Sequence, residues 1–253
     1  GDADPVVSNT PPVVSSPLSP SPEPAPAQAT ANTLPSSLQQ GLVAYYPFNG
    51  DANDESGNGH HGTVAGAKLT QNRFGQLEKA YDFDGVDDSI AVGSQLGNVG
   101  TLPFTLSAWV NTDTDVGPDV ILGKGTYGKG SSDFYFRVYE DPVDPVDKRR
   151  MQLNLFDGTT AQSIFSTSQI EARRWYHVVG QRDDSGMKIY IDGQLDNAEN
   201  SSPINPDSSE PLRLGVANSW YNIRMDGAID DVRIYNRALS AAEVKALYEF
   251  EKP

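Results

Sequence analysis

Met151-Gln152-Leu153-Asn154-Leu155-Phe156 alternates apolar and polar side chains residue by residue. That period of two marks a strand with one face in a core and the other outside it. Upstream lie Phe134-Tyr135-Phe136-Arg137-Val138-Tyr139, Phe104-Thr105-Leu106-Ser107-Ala108-Trp109-Val110 and Leu42-Val43-Ala44-Tyr45-Tyr46-Pro47-Phe48. All three are short and rich in aromatic and β-branched residues, as strands are. Downstream, Met187-Lys188-Ile189-Tyr190-Ile191 runs into Asp192-Gly193, a pair suited to the positive-φ corner of a tight hairpin. Many short strands, turns rich in Gly, Asp and Asn, and no tandem repeat predict an all-β chain folded as one antiparallel two-sheet β-sandwich. A helix is expected only at the end. There Ser240-Ala241-Ala242-Glu243 forms a capping box, followed by Val244, Leu247 and Tyr248 on one face.

The rest of the composition narrows the function. The chain has 253 residues, with 19 basic against 34 acidic side chains and a formal charge of −15. That is the wrong sign for neutralising nucleic-acid phosphates or anionic lipids, and it suits divalent cations and neutral partners such as sugars. No apolar run reaches the roughly 20 residues of a membrane-spanning helix. The start, Gly1-Asp2-Ala3-Asp4-Pro5, reads as an already processed end. Zero cysteine removes disulfides, thiolate metal sites and thiol nucleophiles together. Residues 1–39 hold nine of the 18 prolines and no basic or aromatic residue. They read as a Pro/Ser-rich extended arm, a linker or stalk with too little apolar surface to order itself. Residues 40–253 read as the folded domain.

Four stretches in order resemble the laminin-G-like, concanavalin A-like jelly-roll domain family of secreted bacterial proteins. They are Gly41–Phe48 with Asp54-Glu55-Ser56-Gly57-Asn58-Gly59-His60-His61-Gly62-Thr63; Ala80–Asp88; Trp175-Tyr176-His177-Val178-Val179 leading into Ile189–Gly193; and Asp226–Ser240. The resemblance implies a jelly roll of two curved sheets, a structural calcium, and a recognition role rather than catalysis. It also implies a secreted or cell-surface location.

The richest polar cluster is the 51–62 loop. Calcium takes six to eight hard oxygen ligands, and a loop of Asp, Asn and Gly can present them. Asp54 and Asn58 are therefore candidate ligands. The resemblance places this loop beside the last strand, where Asp230 and Asp231 lie. Neighbouring strand residues point oppositely, so Asp230, which shares its parity with Val232 and Ile234, is expected to be the third ligand. The alternative is that Asp54 and Asn58 make Asx turns and Asp230 bonds loop amides. His60, His61 and His177 are too scattered for a transition-metal site.

No catalytic motif stands out. Glycosidase relatives of such sandwiches carry Glu-x-Asp-x-Glu on one strand. The nearest stretch here, Glu140–Asp147, is broken by prolines and reads as a solvated acidic loop. No Gly-x-Ser-x-Gly elbow, Walker loop or dinucleotide fingerprint is present, so the chain is expected not to be an enzyme. For ligand contact, Trp220, Tyr221, Asn222 and Arg224 form an aromatic and polar loop group, with Tyr127 as a second aromatic. Trp220 capping the core is the competing reading. Trp109 and Trp175 sit in strand patterns and are expected to pack. The expected function is an extracellular, calcium-stabilised, carbohydrate-binding or adhesive module whose partner is a glycan or a cell-surface protein. The alternative is an assembly subunit that binds protein partners, or its own copies, through the Pro-rich arm. A polysaccharide hydrolase or its accessory domain comes third.

Overall fold

The computed structural model describes residue 1 and residues 34–125, 131–140, 149–217 and 223–253. The folded unit is Leu34–Pro253, so it takes in the last residues assigned to the arm. Leu38, in the short helix α1 (Ser36–Gln39), is fully buried. Arg237 donates to the carbonyls of Ser37 (2.6 Å) and Gln40 (2.8 Å) and ties this segment down.

Two antiparallel sheets face each other, as the alternating pattern predicts. The first runs β13 (Gln194–Asn200), β12 (Gly186–Ile191), β11 (Tyr176–Asp183), β6 (Phe104–Thr112), β15 (Asp226–Tyr235), β4 (Ala80–Asp84) and β3 (Lys68–Thr70). β1 (Leu42–Tyr46) adds on to the second half of β15. The second sheet runs β10 (Ala161–Gln169), β9 (Arg149–Phe156), β8 (Asp133–Glu140), β7 (Asp119–Gly125), β14 (Arg213–Leu214), β5 (Ser89–Ala91) and β2 (Thr63–Ala65). Asp192 (φ 48°) and Gly193 (φ 75°) make the expected positive-φ corner between β12 and β13.

The core lies between the sheets. Met151, Leu153 and Leu155 of β9 meet Phe134, Phe136 and Val138 of β8, facing Leu106, Ala108 and Val110 of β6 and Ile229, Val232 and Ile234 of β15. A second, smaller core lies on the outer face of the first sheet. There the C-terminal helix α2 (Ala241–Glu251) sets Val244 and Leu247 against Tyr235, Val179, Tyr190 and Leu38. Each such buried aliphatic side chain contributes about 1.5–3 kcal/mol. Ser240 caps α2 as its sequence predicts: its hydroxyl accepts from the Glu243 amide (3.2 Å) while the Glu243 carboxylate accepts from the Ser240 amide (2.8 Å).

Candidate functional site

The residues expected to hold calcium have other partners. Asp54 Oδ1 accepts from the amides of Tyr45 (3.0 Å) and Ser56 (2.8 Å), and Oδ2 from the amide of His60 (3.0 Å). Burial alone would raise the Asp54 pKa, but these donors outweigh it and hold the carboxylate below its ordinary value. The Asn58 amide donates to the Val43 carbonyl (2.9 Å), and the Ser56 hydroxyl donates to the same oxygen (3.1 Å). The Asp-x-Ser-x-Asn side chains thus stand in for a neighbouring strand along the free edge of β1, where unpaired backbone groups invite unwanted pairing.

Asp230 departs from its expected place. A β-bulge sets three steps of β15, Asp230 to Arg233, against two of β6, Trp109 to Ser107, with Asp231 at φ 45°. The extra residue breaks the parity. Val232 and Ile234 face the main core, whereas Asp230 faces outward, towards α2, and Asp231 joins it. Both carboxylates meet one guanidinium, Arg73, at 2.6 and 2.7 Å. Arg73 also donates to the Glu251 carbonyl (2.7 Å) and lies 4.5 Å from the Trp109 ring centroid. Burial and then the Asp231 charge push the Asp230 pKa up, with Arg73 the main opposing influence. Asp54 is thus held by backbone amides and Asp230 by an arginine, two different sets of partners. Among the described residues, one group of three carboxylates, Asp84, Asp87 and Asp88, has oxygens within 4.8 Å of one another. Asp84 Oδ1 already accepts from the Val86 amide (2.9 Å), and Asp88 Oδ2 from the Asp84 amide (3.0 Å).

Beside Arg73, Ser107 Oγ and His177 Nε2 are 2.9 Å apart and Glu251 Oε2 is 3.6 Å from the same ring nitrogen. A nucleophilic triad needs its acid on the opposite nitrogen. Here His177 Nδ1 has no partner among the described residues, and all three side chains are buried. Burial, followed by the Arg233 and Arg73 charges, lowers the His177 pKa to about 3, so this imidazole is a neutral packing group. Glu251 also accepts from Trp109 Nε1 (2.8 Å) and pairs with Arg233, which anchors the end of α2. Trp109 packs as expected. Trp175 is half-buried and belongs to neither core. His60 and His61 sit in the β1 edge loop, where His61 Nδ1 accepts from the Asp54 amide (3.2 Å).

The candidate recognition surface is the outer face of the second sheet. The polar half of each alternating strand lines up across it. Tyr135 pairs with Asn154, Arg137 with Gln152 and Tyr139 with Arg150, while Ser163 and Phe165 of β10 sit opposite Asn154 and Gln152. The Arg137 guanidinium lies 4.5 Å from the Tyr135 ring centroid and 5.0 Å from that of Tyr139. Arg137 Nε donates to Gln152 Oε1 (2.7 Å), Gln152 Nε2 to Ser163 Oγ (3.2 Å), and Ser163 Oγ to Asn154 Oδ1 (2.7 Å). Tyr139 meets Phe165 edge-on at 5.3 Å, and Arg150 lies over Phe165 at 5.3 Å. Asp133, at the end of the same row, has its pKa raised to about 6 by burial, against the pull of Arg137. The result is a row of aromatic rings and amides whose side chains hold one another in place, with Arg137, Gln152 and Asn154 buried in it and Tyr135 and Tyr139 half-buried.

One wall of this face comes from a hairpin. After β14 the chain turns at Gly215 (φ 79°), and Val216–Ala217 passes over Gly123 on the Tyr135 side of the sheet. A Cβ on Gly123 would stand 3.0 Å from both Ala217 Cα and the Val216 carbonyl oxygen, so glycine is what lets the hairpin approach. Val216 bridges to Arg224 on the return. Of the aromatic and polar residues expected to touch ligand, Arg224 lines a cleft with Asp84, Asp119 and Asp226. Trp220, Tyr221, Asn222 and Tyr127 lie outside the described residues, in segments 218–222 and 126–130 that join these strands. Tyr135, Arg137, Tyr139, Gln152 and Asn154 were missed as site residues. Their signal was the outward half of the alternation, aromatic and amide-rich where a solvated face is usually charged.

No curated protein matches the sequence. Domain 4 of AbnA, a GH43 extracellular arabinanase from Geobacillus stearothermophilus, solved in complex with arabinotriose, is 21% identical with a TM-score of 0.64, over 82% of this chain and 98% of that one. The binding domain of Paraclostridial Mosquitocidal Protein 1 is 18% identical (TM-score 0.65), over 83% of this chain and 52% of that one. A structure of botulinum neurotoxin type C, whose cell entry depends on interaction with two ganglioside molecules, is 15% identical (TM-score 0.60), over 85% and 52%. The chain thus spans about half the length of the two toxin structures, and at these identities the likeness is one of fold. Residues 84–245 match the family model of the concanavalin A-like lectin/glucanases superfamily, and the chain belongs to that superfamily.

Proposed function

We propose that this domain recognises carbohydrate outside the cell, and that the outer face of the second sheet is where it does so. The observation that carries the reading is the Tyr135–Arg137–Tyr139 stack locked by Gln152. Aromatic faces accept the C–H side of a sugar ring, and pre-aligned amide, hydroxyl and guanidinium groups meet its hydroxyls. Side chains fixed before binding lose little freedom on contact. The arabinotriose complex and the ganglioside dependence of two structural neighbours support a glycan as partner. No helix among the described residues is long and apolar enough to cross a membrane, which is compatible with secretion or display on an arm.

The reading is of a binding domain without catalysis. Its support is that Ser107, His177 and Glu251 are buried with their contacts on one ring nitrogen. The calcium implied by the family resemblance is, on this reading, not held by Asp54, Asn58 and Asp230. Thermal melts in calcium and in chelator, on the unaltered chain and on Asp87→Asn, locate any ion: a calcium shift that the substitution removes puts it at Asp84, Asp87 and Asp88. The recognition claim is tested on a glycan array that includes arabino-oligosaccharides and ganglioside glycans. Binding that Tyr139→Ala weakens about tenfold supports it. An array with no binder, or a binder indifferent to Tyr139→Ala, refutes it.

A further inference from the structure

One end of the sandwich is open between its two sheets. Val43 of β1 and Ile234 of β15 come from the first sheet, and Leu96, Val99, Leu102 and Pro103 from the segment that leads from β5 into β6. Together they line a cavity of about 240 Å³. Leu96 and Ile234 belong to the main core, and Val43 and Val99 pack against it half-buried. Leu102, by contrast, is 68% exposed. At roughly 30 Å³ per liquid water the cavity is the space of about eight waters, enough for one six-membered ring with a short substituent.

The outer wall is fixed by charges that stay outside the cavity. Buried Arg182 donates to the carbonyls of Leu102, Gly100 and Ile204, each at 2.7 Å. Asp207 accepts from the Gly100 amide (2.7 Å). Lys124 Nζ donates to the Ser94 and Glu210 carbonyls, the latter at 2.9 Å. Leu102 is therefore held in water by a clamped backbone, not left there by a frayed loop. A lone exposed leucine needs no explanation, but this one continues a buried apolar floor outward to the surface.

The lining also selects by chemistry. Among the described residues, no Asp, Glu, Lys or Arg lines the cavity. Its polar side chains are neutral and accessible: Gln95, Asn98 and Asn236 are exposed and His60 is half-buried. An ion would give up hydration here without meeting a counter-charge. A sugar would set several hydroxyls against valine and leucine, and a metal would find a single imidazole. Mostly apolar walls with a few polar groups are what an uncharged small molecule needs.

We propose that this cavity binds a small uncharged molecule with a ring-sized apolar body and one hydrogen-bonding end, the class of an aryl alcohol. The ring lies on Leu96, Val99 and Ile234 beside Leu102, and the hydroxyl meets the amides of Asn98 and Asn236 and the His60 imidazole. The site lies between the sheets, apart from the outer face of the second sheet, so either can fail without the other.

The test is an amide chemical-shift titration of the full chain with benzyl alcohol, benzylammonium, benzoate and D-glucose. Benzyl alcohol is expected to bind at least about tenfold more tightly than the other three, with shifts centred on Leu96, Asn98, Val99 and Leu102. Leu102→Asp, at the exposed lip, is expected to weaken benzyl alcohol about tenfold with thermal melting retained. The proposal is overturned if benzyl alcohol at about 10 mM, above the millimolar range expected of so small a ligand, moves none of these amides. It is equally overturned if any of the other three probes matches benzyl alcohol, or if Leu102→Asp leaves its affinity unchanged.

Discussion

Replacing Arg73 with methionine keeps much of the side-chain volume and deletes one buried positive charge. In the native fold that guanidinium, its side chain 3% exposed, faces Asp230 at 2.6 Å and Asp231 at 2.7 Å and donates to the Glu251 carbonyl at 2.7 Å. Charge-assisted bonds contribute about 1.5–3 kcal/mol each, but burying the charges offsets part of that. Removing one partner of a buried pair typically costs about 3–5 kcal/mol, and we expect about 4 kcal/mol here at pH 10, because two carboxylates are left facing each other. The pH dependence is the sharper signature. The folded-state pKa of Asp230 is already raised by burial and by Asp231, and loss of Arg73 raises it further. A carboxyl whose pKa is higher folded than unfolded binds more protons in the native state between the two values, so stability rises as pH falls through the folded pKa. The deficit of Arg73→Met should therefore shrink on acidification from pH 10 to pH 8, the window above the native Asp230 pKa of about 8, by at most about 1.4 kcal/mol per unit. Urea melts of both chains at each pH read it directly, since other titrating groups are common to both. A deficit below about 1 kcal/mol, or one that stays constant across that range, would refute the argument that Arg73 neutralises the Asp230–Asp231 pair.

Three further outcomes follow from the same contacts. Asp54→Ala should cost about 2–4 kcal/mol by orphaning the Tyr45, Ser56 and His60 amides, and by the same amount in calcium as in chelator; a loss confined to calcium would restore Asp54 as a metal ligand. His177, with its pKa lowered to about 3, should keep neutral-imidazole nitrogen shifts from pH 8 down to pH 5, and a titration midpoint near the ordinary value of 6.5 would contradict its burial. Because its folded pKa is depressed, it contributes stability that is complete above pH 6.5 and drains away as pH falls towards 3. Gly123→Val should push the Val216–Ala217 crossing off the sheet and weaken glycan binding by about tenfold with a cooperative melt retained; unchanged affinity would mean that the hairpin is not part of the site.

Much of the architecture was legible because it is local. Met151–Phe156 carries its own period, Asp192-Gly193 its own turn, and Ser240–Glu243 its own cap, and each forms as read. What was not legible is what depends on a neighbouring strand. The parity argument for Asp230 assumes an unbroken strand, and the bulge at Asp231 arises from the mismatch of β15 with β6, not from its own residues. Asp54, Ser56 and Asn58 have the composition of a calcium loop, but their partners are the bare edge of β1, fifteen or so residues upstream for Asn58. Likewise the outward residues of β8, β9 and β10 were visible strand by strand. That Arg137 would lie between two tyrosines and against Gln152 follows only from the register that places those strands side by side.

Chemical-shift mapping of the labelled full chain, titrated with an oligosaccharide identified on the array, tests the central claim most directly. The account predicts perturbations centred on the side chains of Tyr135, Arg137, Tyr139, Gln152 and Asn154. Perturbations confined to the first sheet or to the β1 edge loop, with these five unmoved, would contradict it.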